Sequence, residues 1–207
     1  MSRLLSGLPA DQSYSYVALE RIARSVRGKL GYDPGAAIDA SALFDDLIDY
    51  KVAIQSKPVP ITTGVAGISS EGLTWYDPEH DRMEILVSDD TYYGLIAGKP
   101  RAAYCFSHEI GHALLHAGQL YRISQLEEPA AAFQRGVAKH AAYMDTEWQA
   151  NAFASALLMP AHGLAALERE LGDLQAEDIA RRFGTSLEAA TYRLELFAER
   201  RTRLTLA

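Results

Sequence analysis

The sequence predicts an α+β fold in a single domain over residues 1–207: two helices at the start, a small sheet of three or four strands, and a helical remainder. Three observations carry this reading. Apolar residues recur at three- to four-residue spacing over residues 14–50 and again from Pro100 almost to the end. Between them, residues 52–87 hold short β-like runs broken by Pro and Gly. The length of 207 residues, with 48% apolar and 23% charged residues, suits one globular domain with a sizeable core and excludes a disordered or collagen-like chain.

The elements follow in order. Over residues 14–30, Tyr16, Leu19, Ile22, Ala23, Val26 and Leu30 share one helix face, and Arg21, Arg24, Arg27 and Lys29 take the other, which is expected to be solvated. Gly31 and Pro34 end this helix. A second helix fits 40–50, capped by Asp39 or Ser41, with Leu43, Phe44, Leu47 and Ile48 as its buried stripe. The β-like runs are 52–54, 64–69, 73–76 and 83–87, with Pro58 and Pro60 as punctuation and 77–81 as a turn. Trp75 and Tyr76 read as packing residues. A helix starts at Pro100, runs through Leu115 and stops near Gly118, so its span is 100–118. Residues 119–129 read as an irregular connection, and helical composition resumes at Ala130 with Gly136 as a weak point. A helix over 146–159 stops at Pro160, a short one over 161–171 is closed by Gly172, and 174–201 reads as two helices. Thr185 with Glu188 is expected to box the second of these.

Charge and cysteine content narrow the function classes. Twenty Lys and Arg against 27 Asp and Glu give a net charge of −7, an acidic balance that argues against a dedicated nucleic-acid or anionic-membrane binder. No apolar stretch approaches the ~20 residues of a membrane span. The start, MSRLLSGLPADQ, is too short in apolar residues for a signal peptide. The one cysteine, Cys105, can form neither an internal disulfide nor a multi-cysteine zinc site. A reduced, cytoplasmic protein is therefore expected.

The chemistry concentrates in His108-Glu109-Ile110-Gly111-His112. Residues four apart in a helix share a face, so His108 and His112 can converge on one tetrahedral ion with bonds of ~2.0–2.1 Å. Glu109, turned about 100° away, misses the ion and points to where a water would sit, as a general base must. Zinc lowers the pKa of such a water from ~15.7 toward ~7, and Glu109 can take its proton and return one to the leaving amine. Gly111 costs ~1 kcal/mol against Ala in mid-helix, which predicts a close approach by another backbone or a substrate. Tyr104, Phe106, Ile110, Leu114 and Leu115 can pack the helix into a core.

Such a site needs a third protein ligand and one open position. Downstream candidates are His116, Glu127, Glu128, His140, Glu147 and His162. His116 is one turn past His112, and three successive turns cannot easily reach one ion because the helix rises ~6 Å every four residues. It is expected instead to bond a free carbonyl at the helix end, with an outer role beside the ligands as the alternative. Glu127 and Glu128 fall in the irregular connection before Pro129, where solvation is expected. Glu147 stands in a helical stretch with Phe153, Leu157 and Leu158 to pack it, and would complete a His-His-Glu site from a second helix.

The run His108 to His116, followed by Glu147-x-x-Ala150-Asn151-x-Phe153-Ala154-x-x-Leu157-Leu158-Met159-Pro160, resembles the ImmA/IrrE family of metallopeptidases. The resemblance covers residues 15–200, with its sharp part in these two motifs. It implies a zincin-like fold, His108, His112 and Glu147 as zinc ligands, and Glu109 as catalytic base. One Zn2+ per chain is implied, with Mn2+ as the other ion such a site accepts. Many relatives carry an acid where this chain has Gln149, a departure that favours Glu147 over position 149 as ligand. Asn151, one turn from Glu147, could orient it from outside the ligand set. The resemblance further implies a cytoplasmic regulatory endopeptidase whose protein partner is a helix-turn-helix repressor that it cleaves.

Two rival readings stay open. Residues 176–197 have the offsets of a helix-turn-helix with arginines nearby, although Glu188 and Glu195 on the second helix would repel phosphates. A DNA-binding regulator is thus the second reading, and a zinc-holding module that acts only by binding is the third. His140, Tyr143 and His162 are candidate transition-state donors.

Overall fold

Ser15 opens the first helix, α1 (Tyr16–Lys29), by accepting the Ala18 amide at 3.2 Å, and Asp39 opens α2 (Ala40–Asp46) by accepting the amide of Ser41 at 2.9 Å. The computed structural model describes residues 8–48, 50–127 and 141–206. On α1, Leu19, Ala23 and Val26 are buried as the spacing predicts. Arg27 is a correction: expected in solvent, it is fully buried and donates to the carbonyl oxygens of Leu157 (2.6 Å), Asp33 (2.7 Å) and Ala36. A guanidinium whose donors all meet carbonyls can tie helix to loop inside a core.

The sheet comprises β1 (Lys51–Ile54), β2 (Lys57–Val65), β3 (Gly72–Asp77) and β4 (Arg82–Val87) in the order β1-β2-β4-β3. β2 runs antiparallel to β1 and parallel to β4, and β3 is an edge strand antiparallel to β4. β2 corrects the expected 64–69 run, which overlaps it only at 64–65. Its prolines are tolerated for a geometric reason. The Ile61 amide donates to the Tyr50 carbonyl on the β1 side (2.7 Å), so alternation turns the nitrogens of Pro58 and Pro60 away from β1. There β2 has no β4 partner, because that pairing begins at Ile61. Gln55 and Ser56, both at positive φ (50° and 66°), make the two-residue turn into β2 without the Asn-Gly signal such turns usually carry.

Helix α3 (Asp89–Ile96), capped by Ser88, lies in a stretch for which no element was predicted. α4 (Pro100–Leu115) has Pro in its first turn, as predicted, and α5 (Ala117–Ser124) replaces most of the irregular connection expected over 119–129. α5 holds through its apolar face, where Tyr121 meets Tyr76 edge-on at 4.9 Å. The inner sheet face (Val59, Ile61, Met83, Ile85, Val87) packs on Phe106 and Ile110 of α4.

A single 3₁₀ turn (Ala142–Met144) leads into α6 (Thr146–Leu158), α7 (Ala161–Leu171), α8 (Ala176–Phe183) and α9 (Leu187–Thr205). Leu158, Leu164, Ile179, Phe183 and Phe197 join them in a second core. The box expected from Thr185 and Glu188 is corrected. Ser186 caps α9 by accepting the Ala189 amide (3.2 Å), and Thr185 is buried with its hydroxyl on the Met159 sulfur (3.3 Å). The expectations for Glu128, Pro129, Ala130, Gly136 and His140, and for residues 1–7, lie outside the described residues. Among the described residues no single helix is long and apolar enough to cross a membrane.

Candidate metal centre

Two helices build the site. α4 carries His108 and His112 one turn apart, and α6 crosses it to bring in Glu147 from its first turn. The crossing is close because Gly111 has no side chain: a Cβ there would stand 3.0 Å from Ala150 Cα and 3.2 Å from Ala150 O. This is the near approach of a second backbone that the mid-helix glycine predicts.

His108 Nε2 and His112 Nε2 stand 3.0 Å apart, and Glu147 reaches them with Oε2 at 3.2 Å and Oε1 at 3.3 Å. Four ligands at ~2.0–2.1 Å around a tetrahedral ion lie ~3.3 Å from one another. The three donor atoms are thus already at the spacing a zinc-sized ion requires. Among the described residues these three form the group of metal-capable side chains, which includes neither His116, Glu127 nor His162. Glu127 is exposed, as expected.

The electrostatics fit a cation site. Hydrogen bonds from His108 and then His112 hold the Glu147 carboxyl well below the usual carboxylate range, against the opposing effect of burial. Burial pulls His108 down, but the hydrogen bond and charge of Glu147 outweigh it, and the net direction is upward. Without an ion, the carboxylate therefore attracts protons onto the imidazole that an ion would displace.

Glu109 stays out of this group, as its rotation around the helix predicts. Its Oε2 accepts a 2.7 Å hydrogen bond from the Thr74 hydroxyl on β3. Its stem lies against Gly72, where a Cβ would stand 2.7 Å from Glu109 Cγ and 3.0 Å from Oε1. Thr74 and Gly72 were not legible as site residues, because only the packing of β3 on α4 brings them to Glu109.

The outer partners differ from expectation. Asn151 was expected to orient Glu147, but its Oδ1 lies 3.1 Å from His108 Nδ1. His116 was expected at a free carbonyl, with an outer role beside the ligands as the alternative. It is buried, with Nδ1 3.0 Å from His112 Nδ1 and Nε2 2.9 Å from Gln149 Oε1. The reason is that α4 ends at Leu115 beneath α6, so the next side chain turns inward. Burial and then the nearby His112 push His116 down to about 4, which keeps it neutral. Of the candidate transition-state donors, Tyr143 has a half-exposed side chain, and it is its carbonyl that meets Gln149. His162 stands outside the group.

A cleft of about 700 Å³ opens over the group. α4 and α6 form its floor, the Gly72 end of β3 one wall, and Ser186, Glu188, Ala189 and Tyr192 of α9 and its cap the other. The helix whose pattern suggested DNA reading therefore turns its first residues toward the cleft. It buries Ala190, Arg193, Leu196 and Phe197. Cys105 also lines the cleft, but burial and then the charges of Glu109 and Glu71 push its thiol up to about 12, so it is protonated and unsuited to attack.

Residues 97–195 match the IrrE N-terminal-like domain family, Peptidase_M78. No curated protein matches the chain. Among solved structures, a Mycobacterium tuberculosis transcriptional regulator is similar over 86% of this chain at 18% identity, with a TM-score of 0.45. The chain spans 46% of that regulator's length.

Proposed function

We propose that the chain is a zinc-dependent endopeptidase acting on a protein substrate, a reading supported by the match of residues 97–195 to the IrrE N-terminal-like domain family, Peptidase_M78. The observation that supports this most is the spacing of His108 Nε2, His112 Nε2 and the Glu147 oxygens, 3.0–3.3 Å, beside an open cleft that His108, Glu109 and Glu147 line. His108, His112 and Glu147 would hold the ion. When bound, it would supply a Lewis acid for the peptide carbonyl and a water of lowered pKa.

The chain's own groups account for the remaining work. Glu109 is the proton acceptor for the attacking water and then the donor to the leaving amine. Thr74 holds one of its oxygens, and the other lies against Gly72, which has no side chain to cover it. Asn151 and His116 fix the two imidazole rings from behind. β3 is an edge strand whose Gly72 end borders the cleft, so an extended substrate segment can add to it by main-chain hydrogen bonds and lie beside Glu109. Hydrolysis adds water across the amide and yields a carboxylate and an amine.

The resemblance of the two motifs extends the proposal to a substrate: a helix-turn-helix repressor, cut to release transcription. Co-expression with candidate helix-turn-helix repressors from the same genome tests it. The wild type should cleave the repressor, and Glu109→Gln should leave it whole. An intact repressor with both proteins would refute this substrate assignment. Cleavage by Glu109→Gln equal to wild type would refute the role of Glu109.

A further inference from the structure

An imidazole offers a metal only the ring nitrogen that carries no proton, so a ligand histidine needs its tautomer fixed. Behind His112 a line of hydrogen bonds has only one possible direction. Gln149 on α6 is fully buried, and its Nε2 lies 2.7 Å from both the Gln12 and the Tyr143 carbonyl oxygens. Carbonyls only accept, so the amide nitrogen must face them and the amide cannot be turned over. Oε1 then faces His116 Nε2 at 2.9 Å and can only accept, which puts a proton on that nitrogen. His116 is 4% exposed, and its partner is an amide rather than a carboxylate, so its ring is neutral and its lone pair is on Nδ1. That lone pair meets His112 Nδ1 at 3.0 Å. His112 must donate from Nδ1, which leaves the lone pair on Nε2, the atom that faces His108 and Glu147.

We propose that Gln149 and His116 are positioning residues that lock His112 in its metal-binding tautomer, with the direction of the whole line set by the backbone carbonyls of Gln12 and Tyr143. The proposal rests on the metal-centre reading above. It gives a physical reason for an amide at position 149, because a carboxylate has no donor for those two carbonyls. It also gives the chain at Gln12, far from the cleft in sequence, a part in orienting the ligand.

Two variants and their combination test it. Gln149→Met keeps side-chain volume and removes both ends of the amide, and His116→Phe removes the ring nitrogens. In the zinc-free wild type at about pH 8, 15N NMR of the histidine rings should find the His112 proton on Nδ1; in either variant it should find a tautomer mixture. Zinc affinity, read by competition with a chromophoric chelator, should fall about 10–100-fold in each single variant. The double variant should bind no more weakly than His116→Phe, because Gln149 acts through His116. Circular dichroism checks folding, and if Gln149→Met does not fold, His116→Phe alone gives the same two readouts. An unchanged His112 tautomer with unchanged affinity, or losses that add in the double variant, would overturn the relay alone. A wild type that binds no zinc would overturn the metal-centre reading and the relay with it.

Discussion

Replacing Gly111 by alanine sets two calculable effects against each other. Alanine in mid-helix is worth about 1 kcal/mol over glycine. At this position the new Cβ would meet Ala150 Cα at 3.0 Å, Ala150 O at 3.2 Å and Phe153 Cδ1 at 3.2 Å. Two of these atoms are backbone and cannot rotate aside, so α4 and α6 must part by a few tenths of an ångström. Overpacking of this kind costs about 1–3 kcal/mol. The net loss is therefore roughly 0–2 kcal/mol, or a thermal midpoint lowered by about 0–8 °C at about 2–4 °C per kcal/mol for a chain of this size. The displacement matters more for the site, because Glu147 is one turn from Ala150 on the helix that moves. Zinc affinity should fall about tenfold, the low end for disturbed ligand orientation. Gly28→Ala on α1 is the control: a Cβ there meets nothing within 4 Å, and the variant should gain up to about 1 kcal/mol. Thermal unfolding of the zinc-free proteins and chelator competition measure both effects. If Gly111→Ala is stabilised as much as Gly28→Ala and binds zinc as tightly as wild type, the argument that this contact sets the site is wrong.

Three more outcomes are expected. Glu20 and Arg193 form a buried pair at 2.6 Å, and Glu20 also accepts the Ala161 amide at 2.6 Å. Glu20→Ala leaves an uncompensated guanidinium and should cost about 3–5 kcal/mol, seen as a lower urea midpoint at unchanged slope. Because the hydrogen bond and charge of Glu147 hold His108 above its ordinary value of 6.5, protons compete with the ion for that nitrogen; zinc affinity should weaken as the pH falls through the His108 pKa and level off above it. Titrating the chelator competition from acid to alkaline pH checks the sign, and affinity that rises on acidification would contradict it. Duplex DNA should not bind even at low salt, since α9 presents Glu188 and Glu195 and turns its first residues to the cleft; salt-dependent binding would restore the DNA-reading alternative.

What the sequence made legible is what depends on neighbours along the chain. His108 and His112 are set four apart by helix geometry, and the stretch around Glu147 is helical from local pattern alone. Metal spacing across α4 and α6 followed from those two helices meeting. β2 was obscured by Pro58 and Pro60, whose tolerance depends on which side of the strand lacks a partner, a property of the sheet and not of the segment. The Gln55-Ser56 turn carries no glycine to announce it. Arg27 looked like a surface charge, because nothing nearby in sequence shows that the carbonyl of Leu157 will arrive to receive it. Thr74, 35 residues before Glu109, and Gln149, 33 after His116, join the site only through packing.

The bare flank of Gly72 separates two things that usually fail together. A methyl group added there would press on the stem of Glu109, 2.7 Å from Cγ, and its three nearest atoms all belong to that side chain and none to His108, His112 or Glu147. If Glu109 works as proposed, Gly72→Ala would lower turnover while sparing cation capture. If the chain is the endopeptidase proposed, an inert form of this kind would keep hold of its target instead of releasing fragments, and would serve as bait for it.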